Sequence, residues 1–163
     1  GVQTCALPIW TRALSRLAPG TPLLLEGPYG AMHGGRRTGR RLLLVAGGIG
    51  IAPIRALAEG FSYRPGDLDL IYRTRETLDA PLCRELESLA RQRGFNLHLI
   101  LGRRGDAGVG DDPLGARALG ERIPDAADRD VYLCGPEGLM EHTRTSLLRL
   151  GTPVERINLE LFG

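Results

Sequence analysis

The apolar positions of this chain fall into short runs separated by stretches of helical spacing. RLLLVA (41–46) is a continuous apolar run ending in glycines, the pattern of a strand buried on both faces. DLDLIYR (67–73), NLHLIL (96–101), DVYLCG (130–135) and RINLELF (156–162) predict four more strands. Between them the spacing predicts a helix over Ala52–Phe61, with Pro53 tolerated in its first turn, and a helix over Leu78–Arg93 closed by Gly94. A short helix over Leu114–Arg122 and one over Glu137–Leu150, closed by Gly151, complete the series. Strands alternating with helices predict an α/β protein with a five-stranded parallel sheet in the order 3-2-1-4-5, two right-handed halves winding outward from RLLLVA. That order would bring residues 47–53 and 134–136 to one carboxyl edge. Ahead of it, TPLLLE (21–26) predicts a short strand, closed by the turn Gly27-Pro28-Tyr29-Gly30. Residues 33–40 are polar and glycine-rich and predict a linker at a domain boundary.

Composition narrows the chemistry. A length of 163 residues fits one domain, or one domain with a remnant of another. All 21 basic residues are arginine, which excludes a Walker A lysine, a Schiff-base lysine and a pyridoxal phosphate anchor. A net charge of +2 gives no polyanion-binding stripe, so nucleic acid is not an expected partner. Cys5, Cys83 and Cys134 lie far apart, and His33, His98 and His142 share no ligand spacing; neither a metal site nor a disulfide scaffold is expected. The longest apolar stretch, 42–54, is glycine-broken and shorter than the ~20 residues of a membrane span. The leader GVQTCALPI (1–9) reads as the translation of a common sequencing-adapter oligonucleotide. It is expected to be a library artefact, with native sequence beginning near Trp10.

Two motifs carry candidate chemistry. Gly47-Gly48-Ile49-Gly50-Ile51-Ala52-Pro53 stands where a buried strand turns into a helix, where glycines let backbone approach a pyrophosphate and the helix N-terminus favours its charge. A tight strand-to-helix turn would use the same glycines. The second predicted strand lacks the terminal acid that grips a ribose 2′-hydroxyl and ends in Tyr72-Arg73-Thr74-Arg75. Those arginines suit a phosphate or, equally, a solvated strand end. Cys134-Gly135-Pro136, followed by Met140, closes the fourth strand at the ligand-bearing edge. A lone strand cysteine also serves as a small core hydrophobe.

GPYG, GGIGIAP, YRTR, CGPEGLM and the terminal Glu-x-Phe, in this order and spacing, resemble the ferredoxin–NADP⁺ reductase superfamily, and most of all its ferric-reductase-type and ferredoxin-reductase-type flavoproteins. The resemblance covers Trp10–Phe162 and implies a Rossmann-like NAD(P)-binding domain over 41–163. Residues 10–32 would be the last piece of an FAD-binding β-barrel. It implies FAD and NAD(P)H as cofactors, with hydride passing to flavin and single electrons passing on to a ferric chelate, haem or iron–sulfur protein. By the same resemblance Gly47, Gly48, Gly50 and Pro53 would form the pyrophosphate loop, and Arg73 and Arg75 would face the adenosine ribose or its phosphate. Cys134, Gly135 and Pro136 would lie by the nicotinamide, with Cys134 shaping the pocket rather than acting as nucleophile. Glu160 and Phe162 would lie near the flavin ring, and Thr11, in Thr11-Arg12-Ala13-Leu14, would contact FAD. Asn158 departs from the histidine that many relatives carry. On this reading Cys134→Leu should slow hydride transfer, whereas Gly50→Val, remote from the reacting atoms, should act on affinity. The chain alone is expected to bind NAD(P)H weakly and to carry little FAD.

Two function classes follow: the C-terminal part of an NAD(P)H-dependent flavin oxidoreductase, or a non-redox nucleotide-binding α/β domain of regulatory or methyltransferase-like kind. The missing ribose acid and the CGP turn favour the first. The intact protein is expected on the cytoplasmic side; some relatives carry a membrane-embedded haem domain upstream, so attachment to a membrane through a preceding domain stays open. His33, His98 and Cys83 read as structural, and Arg36-Arg37, Arg40-Arg41 and Arg103-Arg104 as solvated loop charges or a docking face for an acidic electron carrier.

Overall fold

The computed structural model describes residues 13–24, 32–74, 83–102 and 112–162. The chain divides into a small unit and a larger one spanning 30–162. In the larger unit β1 (Leu42–Gly47) leads into α1 (Ile51–Gly60), and β2 (Leu68–Thr74) into α2 (Cys83–Arg93). β3 (Asn96–Leu101), α3 (Ala116–Arg122), β4 (Asp130–Pro136), α4 (Glu137–Arg149) and β5 (Ile157–Phe162) follow. The five strands form one parallel sheet in the order β3-β2-β1-β4-β5, as the apolar pattern predicts.

The centre of that order falls on the most apolar strand for a physical reason. Every residue of β1 is buried, because its side chains meet cores on both faces of the sheet. Leu42, Leu44 and Ala46 pack with Ile51, Ile54 and Leu57 of α1 and Leu86 of α2. Leu43 and Val45 pack on the opposite face with Leu119 of α3 and Met140 and Leu147 of α4. Fully burying each leucine is worth about 1.5–3 kcal/mol, so this strand anchors both layers.

Charge closes the amino edge. Arg129 pairs with Asp69 at 2.7 Å and Asp125 at 2.8 Å and donates to the Leu42 carbonyl. His98, on β3, hydrogen-bonds Asp69 at 2.7 Å. The fully buried Asp130 carboxylate accepts the backbone N–H groups of Thr38 and Gly39 and the Thr38 hydroxyl. Arg37 donates to the carbonyls of Gly39, Arg40 and Ser62 and lies over the Phe61 ring. Met32 joins the α1-side core, and the Tyr132 hydroxyl reaches the His33 carbonyl. Residues 32–41 are therefore strapped to the sheet.

Several expectations change. Thr21–Leu24 form no strand, and Leu24 is exposed; an apolar triplet makes a strand only where a ladder partner completes its hydrogen bonds, and no described residue pairs with it. The remainder of TPLLLE and the GPYG turn lie outside the described residues, as do Leu78–Leu82 of the expected second helix. Arg37, Arg40 and Arg41 are not simply solvated: Arg40 pairs with Asp67 at 3.0 Å and Arg41 with Asp125. Arg103 and Arg104 lie outside the described residues. His33 caps a short 3₁₀ turn by accepting the Gly35 N–H, and Cys83 packs against the α1-side core.

Candidate functional site

The two glycine-bearing motifs meet at the carboxyl edge. Ala46 of β1 stands opposite Cys134 of β4 in register, and the chain leaves each strand there. Gly50, the residue before α1, lies flat against the Cys134–Gly135 peptide: a Cβ at Gly50 would stand 2.1 Å from the Cys134 carbonyl oxygen. Gly135, at φ +157°, approaches Gly47 less tightly: a Cβ on it would stand 3.0 Å from the Gly47 backbone. Each turn is thus shaped by the other's lack of a side chain. The Gly50→Val expectation changes accordingly. The loop is not remote from the CGP turn but in backbone contact with it, so a side chain at Gly50 must displace both.

The α1 N-terminus is open to an anion. No side chain caps it and no acid sits in its first turn. The Ile51 N–H is already taken by the Gly48 carbonyl of the preceding 3₁₀ turn and Pro53 has none, so this end offers an anion chiefly the positive potential of the helix dipole. Pro53 sits in that first turn, where a missing N–H removes no helical bond. Around Gly48 there is open space, with nothing within 4 Å of a Cβ position. Ile49 beside it is exposed.

Cys134 is fully buried on the α1 side of the sheet. Burial, and secondarily the charge of Glu160, push its thiol up to about 12, so it stays protonated and non-nucleophilic at neutral pH. Glu160 stands opposite Cys134 in the β4–β5 register, and its Oε2 is buried without a hydrogen-bond partner. A carboxylate oxygen left in that state is suited to a donor that arrives with a ligand. Pro136 is exposed and pairs in register with Phe162, whose side chain lies outside the described residues. Asn158 is buried on β5 and donates to the Val131 carbonyl.

Arg73 differs from a solvated strand end. Its side chain is 8% exposed, and Nη1 lies 3.6 Å from Asp112 Oδ1. Asp112 Oδ2 lies 2.9 Å from His142 Nε2 on α4. Arg75 and Thr11 lie outside the described residues. Asp112 and His142 went unread in the sequence because they reach Arg73 only through the fold, from a loop and a helix with no motif around them. Leu139, within CGPEGLM, lies against Gly47, where its Cδ2 would meet a Cβ at 2.7 Å. Among the described residues no cluster of His, Cys, Asp or Glu suits a metal, and no helix is long and apolar enough to cross a membrane.

Comparison with known proteins accords with this edge. Residues 44–145 match the family model for the oxidoreductase NAD-binding domain. The chain is 31% identical to the glycine betaine monooxygenase reductase subunit of Pseudomonas aeruginosa, over 90% of its own length and 42% of that protein. It is 32% identical to the ferredoxin–NAD(+) reductase component of the alkene monooxygenase system of Xanthobacter autotrophicus, over 99% of its length and 49% of that protein. The cytochrome b5 reductase domain of Ulva prolifera nitrate reductase has the same fold, with TM-score 0.70 at 20% identity, covering 93% of this chain and 65% of that one. An Amycolatopsis cytochrome P450 reductase gives TM-score 0.64 at 26% identity, covering 83% and 42%. The chain spans about half the length of the curated relatives it matches. With its family model, its sheet order and its two interlocked turns in agreement, the chain belongs to the ferredoxin–NADP⁺ reductase superfamily and comprises its oxidoreductase NAD-binding domain.

Proposed function

We propose that this chain is the NAD(P)H-binding part of an FAD-dependent oxidoreductase that delivers electrons to an iron-containing acceptor. The observation that carries the reading is the contact of Gly50 with the Cys134–Gly135 peptide, which joins the positive end of α1 to a buried, unreactive thiol beside the Glu160 Oε2 that has no hydrogen-bond partner. When bound, the nicotinamide supplies a hydride and the flavin divides the electron pair into single electrons. Gly47, Gly48, Gly50 and Pro53 would hold the pyrophosphate, using the positive end of the α1 dipole and the open space at Gly48. Cys134, Gly135 and Pro136 would bound the nicotinamide end, with the protonated thiol of Cys134 acting as packing that excludes water. Glu160 would use its free Oε2 to accept a proton donor on the flavin side, with Phe162 and Thr11 as further flavin contacts. Arg73 and Arg75 would lie towards the adenosine end.

The two monooxygenase reductase components among the relatives support an oxygenase or iron–sulfur acceptor, and a flavohemoprotein of Vibrio cholerae, 29% identical over 76% of this chain, supports haem. The intact protein would act on the cytoplasmic side, with any membrane attachment supplied by a preceding domain. The test is flavin content and anaerobic reduction of the intact protein. FAD that bleaches on addition of NADH or NADPH is expected. A folded intact protein without flavin, or with flavin that neither nucleotide reduces, overturns the reading.

A further inference from the structure

We propose that Asp112, docked on Arg73, is the acid that holds the adenosine ribose 2′-hydroxyl and thereby selects NADH over NADPH. The proposal rests on the nucleotide-binding reading above. In open α/β sheets that bind dinucleotides, this task falls to an acid at the end of the second strand, one strand away from the glycine loop. Here β2 ends in Tyr72-Arg73-Thr74, with no acid.

The fold brings one there from elsewhere in the chain. Arg73 stands in register with Gly47, so it leaves the sheet directly beside the glycine loop. Its guanidinium lies near Asp112 Oδ1, at 3.6 Å, while Nη1 is buried without a hydrogen bond. Asp112 is fixed from two further directions. Its Oδ1 accepts the Leu114 N–H at 3.1 Å, and its Oδ2 lies 2.9 Å from His142 Nε2. A strand, a loop and a helix thus hold one carboxylate at the end of β2. Its side chain remains one-quarter exposed, so a ligand at this edge can reach it.

The charges then decide between nucleotides. An arginine already neutralised by Asp112 gives little attraction to the added phosphate of NADPH, which carries a charge near −2. The Asp112 carboxylate repels that phosphate, yet accepts a hydrogen bond from the free hydroxyl of NADH. A hydrogen bond to a charged acceptor is worth about 1.5–3 kcal/mol, or roughly tenfold to a hundredfold in affinity.

Isothermal titration of the 163-residue chain with NAD⁺, NADP⁺ and the 2′-deoxyadenosine form of NAD⁺ tests this. The wild-type chain should bind NAD⁺ at least about tenfold more tightly than either of the others. Asp112→Ala, which removes the acceptor, should bring NAD⁺ and its 2′-deoxy form to equal affinity and narrow the gap to NADP⁺. Equal binding of NAD⁺ and its 2′-deoxy form by the wild-type chain overturns this proposal alone, and does so without any variant having to fold. Preference of the wild-type chain for NADP⁺ also overturns it. A folded wild-type chain that binds none of the three overturns the nucleotide-binding reading as well.

Discussion

Gly50→Ala adds a single methyl group at the tightest backbone approach of the site. Its Cβ would stand 2.1 Å from the Cys134 carbonyl oxygen and 2.5 Å from the carbonyl carbon, whereas ordinary contact begins at 3.4 Å. The two backbones must therefore part by more than an ångström. Neither side gives easily, because Ile51 and Ile54 fix the start of α1 in the core and β4 is hydrogen-bonded to strands on both sides. Overpacking of this kind costs about 1–3 kcal/mol. The functional cost is larger if the CGP turn sets the nicotinamide distance, since a misplacement of about 1 Å can cost 10²-fold in rate. Urea unfolding of the 163-residue chain should show the stability loss. Stopped-flow flavin reduction in the intact protein at saturating nucleotide should show a rate loss as well as weaker binding. Gly138→Ala is the control: nothing lies within 4 Å of its Cβ position, and alanine in α4 should be neutral or stabilising by up to about 1 kcal/mol. If Gly50→Ala matches the wild-type protein in both urea midpoint and reduction rate, the interlock of the two turns has no energetic meaning.

Cys134→Leu, which forces extra methyl groups into a fully buried site, should slow flavin reduction at saturating nucleotide more than it raises the dissociation constant; a wild-type rate in a stably folded variant would make Cys134 core alone. The same thiol makes stability fall at alkaline pH. Its folded pKa of about 12 lies above the ordinary 9.0, so the unfolded chain loses that proton first, and stability should drop above pH 9 by up to about 1.4 kcal/mol per unit. Urea midpoints between pH 8 and 11 should flatten in Cys134→Ala. At the other limit, burial raises the Asp69 carboxyl, but its hydrogen bond with His98 and the charge of Arg129 outweigh burial and hold it below 3.8. Its stabilisation is present above that value and is lost as pH falls through the lower folded pKa. Asp69→Asn should cost about 3–5 kcal/mol near neutral pH and weaken the acid limb, as measured by thermal unfolding between pH 2 and 7.

The sheet was legible because its central strand is apolar without interruption, and only a position covered on both faces tolerates that. The helices were legible from their spacing, as with Leu86 and Leu89 on α2. The glycine loop and the CGP turn were legible as separate turns, and the strand order alone carried them to one edge. Three features needed the fold. Thr21–Leu24 resembles a strand because apolar content says nothing about the availability of a hydrogen-bonding neighbour. Arg73 reads equally as a phosphate ligand or a solvated strand end; its buried place beside Asp112 comes from a loop that no local pattern ties to it. The backbone contact at Gly50 is invisible in sequence, since a glycine written for a turn and one written for a close neighbour are the same letter.

The strap over residues 32–41 determines where this module can be cut and rejoined. The polar, glycine-rich composition of that stretch invites a junction just before β1. A junction there would strip Met32 from the core, remove the guanidinium that gathers three carbonyls, and leave the buried carboxylate of Asp130 without its donors. An orphaned buried acid costs more than the loss of any one of those contacts. Chimeras with other flavin modules should therefore be spliced upstream of Met32, so that the transplanted piece carries its own amino-edge seal with it.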